Sequence, residues 1–230
     1  MTLSRSIIRE FISKVEWATA TNICYLLTGK KRRRDYAVVA AELSSMCRTK
    51  RREIRLKKLQ HDFYTPYALA GSSKATLNHR QVEHDIKLRN CLAKYLYICG
   101  PGLMEYLSLQ TYADAVLTLP TGNLFFVEFD SGHMGKKQLI EKIKERYIGK
   151  GAFRVVFFLG TAEYAHWKNI ETIKCLERNR LDILFRIVRK VLKDKPNRVL
   201  GACYHEYLQN GKIYNHKGSL VWTEEGERNR

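Results

Sequence analysis

The order of hydrophobic and polar positions in the first third of the chain predicts three helices followed by a β-hairpin. Three segments place apolar residues at the spacing of amphipathic helices: Ser4–Lys14, Thr19–Leu27 and Asp35–Met46. Ser4 is placed to cap the first helix, and Gly29 is placed to end the second. Two short alternating segments, Glu53–Leu59 and Phe63–Leu69, predict a pair of strands. This is the element order of a winged helix-turn-helix, whose third helix is the recognition helix.

A polar segment after the hairpin predicts a domain boundary. Gly71-Ser72-Ser73-Lys74 has the composition of a linker, so we expect a winged-helix domain over residues 1–74 and a second domain over residues 75–230. The alternative for the first domain is a small helical domain whose charges only keep it in solution.

Beyond residue 75 the pattern alternates between helices and strands. The predicted helix, three strands, helix and strand are Arg80–Leu96, Met104–Gln110, Ala113–Leu119, Asn123–Asp130, Lys136–Tyr147 and Phe153–Leu159. Pro120-Thr121-Gly122 suits a hairpin between the second and third strands. The continuous apolar run of the last strand is typical of a strand buried on both faces. The predicted fold class is therefore α/β (α+β), with a mixed sheet flanked by helices.

The last third of the chain has a weaker pattern. Tyr164–Glu177 predicts a helix, whereas Asp182–Val191 fits either a helix or a buried strand. Val199–Tyr207 and Lys212–Tyr214 predict a final pair of strands.

Composition narrows the class of protein. Apolar residues make up 45% of the 230 residues and aromatic residues 11%, which is enough for a hydrophobic core and excludes disorder as the main state. No segment approaches the about 18–20 uninterrupted apolar residues of a membrane span, and the N-terminus lacks a signal-peptide pattern. The six cysteines are scattered without a C-x-x-C pair, which is not typical of a zinc site or a disulfide framework. We therefore expect a cytoplasmic protein with no membrane partner.

The net charge of the chain indicates what kind of partner the protein binds. The 41 Lys and Arg against 23 Asp and Glu give a net charge of +18, which indicates a polyanion, most simply double-stranded DNA. Residues 1–94 hold 20 basic against 8 acidic residues, and residues 30–58 hold 12 against 3. The residues expected to contact DNA lie in two basic blocks: Lys31, Arg32, Arg33 and Arg34 in the first, and Arg48, Lys50, Arg51, Arg52, Arg55 and Lys57 in the second. The alternative is that each block is only a solvated face or a flexible arm.

Three carboxylates in the second half form a candidate site. Asp114 opens the second predicted strand, while Glu128 and Asp130 end the third and share one face because side chains alternate. Such carboxylates repel one another unless a cation or a base joins them. Mg²⁺ (or Mn²⁺) is one candidate, since it prefers oxygen ligands and activates water. The alternative is structural ion pairing of Glu128 and Asp130 with Lys136, Lys137 or Lys142.

Asp114 followed by Glu128-Phe129-Asp130 resembles the core motif of the PD-(D/E)XK nucleases, whose αβββαβ order residues 80–160 also follow. The chain departs from that motif at two positions, with Ala113 where proline is usual and Asp130 where lysine is usual. In some members the lysine lies on the following helix, and the resemblance then implies Lys142, or otherwise Lys144, in that role. The resemblance implies a catalytic set of Asp114, Glu128, Asp130 and Lys142, with the three carboxylates as metal ligands.

The chain also resembles the replication-relaxation family, described as accessory factors in plasmid mobilisation. The similar segments are Leu77-Asn78-His79, Ala113-Asp114-Ala115 and Val127-Glu128-Phe129-Asp130-Ser131-Gly132, continuing to Leu139, Lys142 and Tyr147. This resemblance covers roughly residues 5–165 and implies a winged helix followed by a nuclease-like domain. We expect Tyr147 to close its helix onto the core.

Three functions follow as expectations. The first is duplex DNA binding by an accessory factor for replication, mobilisation or transcription on a plasmid, phage or transposon. The second is a Mg²⁺-dependent DNA endonuclease. The third is a scaffold that binds a relaxase or replication protein, and a homodimer is compatible with each of them.

Overall fold

The chain forms two compact units. The computed structural model describes residues 4–48, 55–72, 77, 79–110, 112–148, 154–161 and 169–224. Unit 1 spans Met1–Glu105 and unit 2 spans Tyr106–Arg230. Unit 1 holds 20 basic against 9 acidic residues, a net charge of +11, so most of the excess positive charge belongs to it. None of the helices in the described ranges is both long enough and apolar enough to cross a bilayer.

In its described residues, unit 1 combines four α-helices with a small antiparallel sheet. Its elements are α1 (Arg5–Val15), β1 (Trp17–Thr19), α2 (Ala20–Thr28), α3 (Arg33–Arg48), β2 (Leu56–Lys58), β3 (Pro66–Leu69) and α4 (His79–Cys99). The strands lie in the order β1-β3-β2. The three predicted helices and the hairpin are present, but β3 starts three positions after Phe63. Strand β1 was not predicted, because its three residues are all buried and show no alternation.

Local capping explains where α2 begins and ends. Thr19 caps its N-terminus, and the side chain of Asn22 accepts a hydrogen bond from the Thr19 amide (2.8 Å). Gly29 closes the C-terminus in the left-handed conformation, with φ at +66°. A Cβ atom there would also lie 2.3 Å from Cε1 of Tyr97, so both backbone and packing require glycine.

The long helix α4 packs within unit 1. The fully buried guanidinium of Arg89 donates to the carbonyl of Val15 (2.7 Å from Nη2) and to that of Trp17 (2.8 Å from Nε). Burial lowers the pKa of Arg89 to about 10. This value is still well above neutral pH, so the guanidinium remains charged. Asn22 donates to Asn90 Oδ1 (2.8 Å), tying α2 to the same helix. The compact unit 1 therefore includes α4. Residues 73–76 of the predicted linker region lie outside the described residues, so the domain boundary near residue 74 stays a prediction.

Unit 2 is built on a mixed seven-stranded sheet in the described residues. Its elements are β4 (Leu107–Leu109), β5 (Ala115–Thr118), β6 (Leu124–Asp130), α5 (Lys136–Tyr147), β7 (Arg154–Leu159), α6 (Ile170–Val191), β8 (Val199–Cys203), α7 (Tyr204–Asn210), β9 (Ile213–Asn215) and β10 (Leu220–Trp222). The strand order is β10-β9-β8-β7-β6-β5-β4, with β6, β7 and β8 parallel and the other pairs antiparallel. The predicted mixed α/β architecture is thus confirmed for this unit.

Helices cover both faces of this sheet. The main core lies on the face that carries α5 and α6, where Ile143, Phe157 and Leu184 pack together. On the opposite face the ring of Phe158 lies 4.6 Å from that of Tyr207 in α7. The hairpin between β5 and β6 closes through the Gly122 amide, which donates to Leu119 (2.8 Å), as the Pro-Thr-Gly segment predicted.

In the last third of the chain the helix predictions agree with the structure, and one strand prediction was wrong in detail. The described part of Tyr164–Glu177 and all of Asp182–Val191 belong to one helix, α6. The predicted strand Val199–Tyr207 stops at Cys203, where α7 begins. Strands β8 and β9 still pair, so the strand partners were right although the connection between them is helical.

Candidate functional site

The basic segment between α2 and α3 lies on the surface of unit 1. After Gly29 the chain passes through Lys30, Lys31 and Arg32 before α3 begins at Arg33, and every residue from Lys30 to Arg34 is exposed. We call residues Lys30–Arg34 the basic turn. The first predicted block is therefore fully available to a partner.

Helix stability does not explain these cations. The N-terminus of a helix carries a partial positive charge, so Arg33 and Arg34 are unfavourable in the first turn of α3. Asp35 offers partial compensation in that turn. In the described ranges no carboxylate forms an ion pair with residues 31–34, and Glu42 of α3 pairs instead with Arg5 (2.5 Å). The cations are thus placed against local electrostatics and have no carboxylate partner among the described residues, although the Lys31 ammonium lies over the ring of Tyr36, 5.9 Å from its centroid. This arrangement is expected of groups that bind an external anion.

The residues of the second predicted block differ in their exposure. Arg48 is exposed at the C-terminal end of α3, where a cation suits the helix dipole. Arg55 is exposed, but the ammonium of Lys57 donates to the carbonyl of Ser72 (2.9 Å) and is half-buried. Lys50, Arg51 and Arg52 lie outside the described residues, so their role stays a prediction.

In unit 2, Glu128 lies at the centre of a buried network. Its side chain is 0% exposed and accepts hydrogen bonds from Tyr147 Oη (2.5 Å) and Arg146 Nη1 (3.0 Å), while Lys142 pairs with its other oxygen. Burial raises the pKa of Glu128, nearby Asp114 adds to the rise, and Lys142 and Tyr147 offset part of it. Burial also raises the pKa of Tyr147, which keeps that hydroxyl protonated as a donor. All three donors come from one face of α5.

Asp130, at the end of β6, is held by a different helix. Its Oδ2 pairs with Nη2 of Arg180 on α6, and its Oδ1 accepts the amide of Gly132 (2.9 Å). Arg180 also donates to the carbonyl oxygens of Gly132 (3.3 Å) and Met134 (3.1 Å). The Asp130–Arg180 pair therefore fixes the loop between β6 and α5.

The third carboxylate, Asp114, lies beside β6, the strand that carries Glu128 and Asp130, as predicted. It immediately precedes β5, and its Oδ2 accepts the amide hydrogen of Phe129 on β6 (2.7 Å). The hairpin register, with Ala115 opposite Val127, brings Asp114 near Glu128. The strand pattern alone was enough to predict this proximity.

The three carboxylates as arranged do not fit a Mg²⁺ or Mn²⁺ site. The described ranges contain no group of three or more His, Cys, Asp or Glu that could hold a metal ion. Magnesium takes several oxygen ligands and usually keeps waters, but Glu128 is fully enclosed and already neutralised by Lys142 and Arg146. The structure favours the alternative of structural ion pairs. Of the three predicted lysine partners, Lys142 pairs with Glu128, whereas Lys136 and Lys137 are exposed. The partner of Asp130 is Arg180, which was not predicted.

Sequence reasoning found some of these contacts and missed others. Lys142, singled out as a candidate catalytic lysine, does lie beside Glu128, whereas Lys144 is exposed. Tyr147 is fully buried, as expected, but its hydrogen bond to Glu128 was not predicted. The spacing of Lys142 and Arg146, four residues apart on one helix face, was the available signal for Arg146. No local signal pointed to Arg180, which is 50 residues from Asp130.

A second buried carboxylate escaped the sequence analysis. Glu177 is 0% exposed; one oxygen faces His205 Nδ1 (2.7 Å) and the other accepts the His205 amide (3.1 Å). His205 lies in the first turn of α7, so Glu177 satisfies one of the free amides at that helix start. This contact anchors α7 to α6.

Comparison with known proteins adds no relative: no protein-family model, no curated protein and no solved structure matches the chain. Function must therefore be inferred from the surface of unit 1 and the buried contacts of unit 2.

Proposed function

We propose that the protein binds duplex DNA through unit 1 and that the basic turn supplies the main contacts to the phosphates. The observation that carries this proposal is the exposure of five consecutive basic residues, Lys30–Arg34, at a helix start where no carboxylate of the described ranges pairs with them. Phosphate oxygens are the ligands that such arginines bind best, in bidentate geometry.

The topology of unit 1 supports a winged-helix assignment. Its order is α1-β1-α2-α3-β2-β3, and the sheet order β1-β3-β2 places β3 between the strand that follows α1 and the other strand of the hairpin. In this assignment α3 is the recognition helix and the β2–β3 loop is the wing. Helices of this kind meet DNA with their N-terminal residues, which is where the basic turn lies.

For unit 2 we propose a nuclease-like fold that serves a structural or docking role. In unit 2 the succession β4-β5-β6-α5-β7 follows the βββαβ part of the PD-(D/E)XK order, whereas the helix that precedes it in the chain, α4, belongs to unit 1. Glu128 and Asp130, however, are bound by Lys142, Arg146 and Arg180. Hydrolysis is therefore not part of the proposal. The motif resemblance to replication-relaxation proteins supports a role as an accessory factor of a mobile element.

The decisive experiment measures DNA affinity against salt. Each phosphate contact contributes about 0.9 to the slope of log K against log salt, so replacing Arg32, Arg33 and Arg34 by alanine should reduce the slope by up to about 2.7. Fluorescence anisotropy with a labelled duplex gives both the affinity and the slope, and circular dichroism checks that the variant is folded.

A charge-matched control separates this effect from a loss of net charge. Lys190, Lys193 and Lys195 are exposed in unit 2, and their triple alanine variant loses the same three charges. We expect this variant to keep the wild-type slope. Equal slopes for the wild type and the arginine variant would overturn the proposal.

A further inference from the structure

The loop between β2 and β3 presents an aromatic ring to solvent. Phe63 is 84% exposed, far more than the other exposed large apolar side chains among the described residues, and the adjacent Tyr64 is 37% exposed. The buried residues of this hairpin include Leu59 and Tyr67, whereas Phe63 lies in the loop beyond them, so its ring is not part of the core.

The loop holds this ring in place. The Phe63 amide donates to Nδ1 of His61 (3.2 Å), which closes a tight turn. The imidazole of His61 lies 5.2 Å from the ring of Tyr64 and 6.3 Å from that of Phe63. Below the turn, the Leu59 amide donates to the carbonyl of Pro66 (2.9 Å) and continues the ladder of the hairpin. Phe63 is therefore presented on an ordered support.

The surroundings of the ring favour a polyanionic partner over an apolar one. Lys58 is exposed on β2, the strand that leads to the loop, and Arg55 is exposed just before that strand. Helix α3, which begins within the basic turn, packs against β2. Asp62 is the one acidic residue of residues 59–66. Protein interfaces centre on a contiguous apolar patch, whereas the neighbours of Phe63 include His61, Asp62 and Thr65.

We infer that Phe63 stacks on an unpaired nucleobase, so that the protein prefers DNA with disrupted base pairs to fully paired duplex. This inference rests on the proposed DNA binding by unit 1. Aromatic side chains stack on every base type because each base has a π-face. In paired duplex those faces are covered by neighbouring bases, and uncovering them costs free energy. At a mismatch, bulge or strand junction the faces are already accessible.

The test compares two DNAs that differ only in a central run of mismatched bases, one of which is 2-aminopurine. The full-length protein should bind the mismatched DNA about tenfold more tightly than the paired DNA, and Phe63→Ala should remove that preference, since one stacked base contributes about that factor or more. Stacking should also quench the 2-aminopurine fluorescence in the wild type but not in Phe63→Ala.

Further variants keep the result specific. Phe63→Trp should retain the preference, Phe63→Leu should lose it, and Leu220→Ala, which changes an exposed side chain of unit 2, should have no effect. The inference is overturned if the wild type shows no preference, or if Phe63→Ala or Phe63→Leu binds mismatched DNA as tightly as the wild type. If the wild type binds neither DNA, the proposed function itself fails.

Discussion

Replacing Lys142 by methionine separates a structural role of the Glu128 network from a catalytic one. In the structure the Lys142 ammonium pairs with Glu128, and their side chains are 12% and 0% exposed. The substitution keeps the length and the helix propensity of the side chain but leaves the buried carboxylate with one cation fewer. If Lys142 instead pointed at a substrate phosphate, its removal would abolish cleavage and leave stability nearly unchanged.

The expected loss of stability can be worked out from this burial. Breaking a buried ion pair by removing one partner costs about 3–5 kcal/mol. Arg146 and Tyr147 still contact Glu128, so we expect about 3 kcal/mol, the lower end of that range. For a chain of this length, that corresponds to a fall in Tm of about 6–12 °C.

Differential scanning calorimetry or thermal denaturation followed by circular dichroism would measure this shift. Lys144→Met is the matched control, because Lys144 lies on the same helix and is exposed; we expect it to change stability by less than about 0.5 kcal/mol. The double variant Lys142→Met/Glu128→Gln should recover most of the loss, since no charge is then left buried and unpaired. Equal Tm values for Lys142→Met and Lys144→Met would refute the structural role of Lys142.

The pH dependence follows from the raised pKa of Glu128. The unfolded chain loses this proton near the ordinary value of 4.5, but the folded chain holds it to higher pH. The folded state thus binds more protons in that window, and stability falls as pH rises from 4.5 to the folded pKa. Lys142 lowers the folded pKa, so its loss extends the window upward. The stability difference between wild type and Lys142→Met should therefore shrink towards acid pH and grow towards neutral pH.

Two further predictions concern packing. Arg89→Met should destabilise unit 1 by about 2–6 kcal/mol, because two buried carbonyls, those of Val15 and Trp17, lose their donor. Urea unfolding followed by tryptophan fluorescence would measure this loss of stability. An unchanged midpoint would contradict the role of α4 in unit 1. Gly201→Ala should cost about 1–3 kcal/mol, because its Cβ would lie 2.4 Å from Leu181 in the core. Gly102→Ala, whose methyl group meets no atom within 4 Å, is the control for urea unfolding, and equal midpoints for the two would count against the clash.

Local features were predictable from the sequence. The helix end at Gly29, the hairpin at Gly122 and the exposure of the basic turn all depend on residues close together in the chain. The proximity of Asp114 to Glu128 followed from strand alternation and one short hairpin. Lys142 could be placed near Glu128 because it lies on the next helix.

The features that were missed depend on distant contacts. Arg180 reaches Asp130 across 50 residues, and nothing in the spacing of either residue reveals the other. The same holds for Arg89, whose partners Val15 and Trp17 lie more than 70 residues away. These contacts decide both the chemistry of the carboxylates and the boundary of unit 1. For α7, the aromatic residues Tyr204 and Tyr207 favour a strand by propensity, but their packing against Phe129 and Phe158 is made from a helix.

The basic turn has an anchor outside the helices that it joins. The ammonium of Lys94 donates to the carbonyl of Gly29 (2.9 Å), and the ring of Tyr97 fills the space where a Gly29 side chain would lie. Both residues belong to the last turns of α4, the helix from which the chain leaves unit 1. A single residue inserted before Lys94 would rotate both contacts by about 100° around the helix axis. The orientation of the basic turn therefore depends on where Lys94 and Tyr97 lie around the axis of α4. A change in the length of this helix would reorient the arginines without altering any of them.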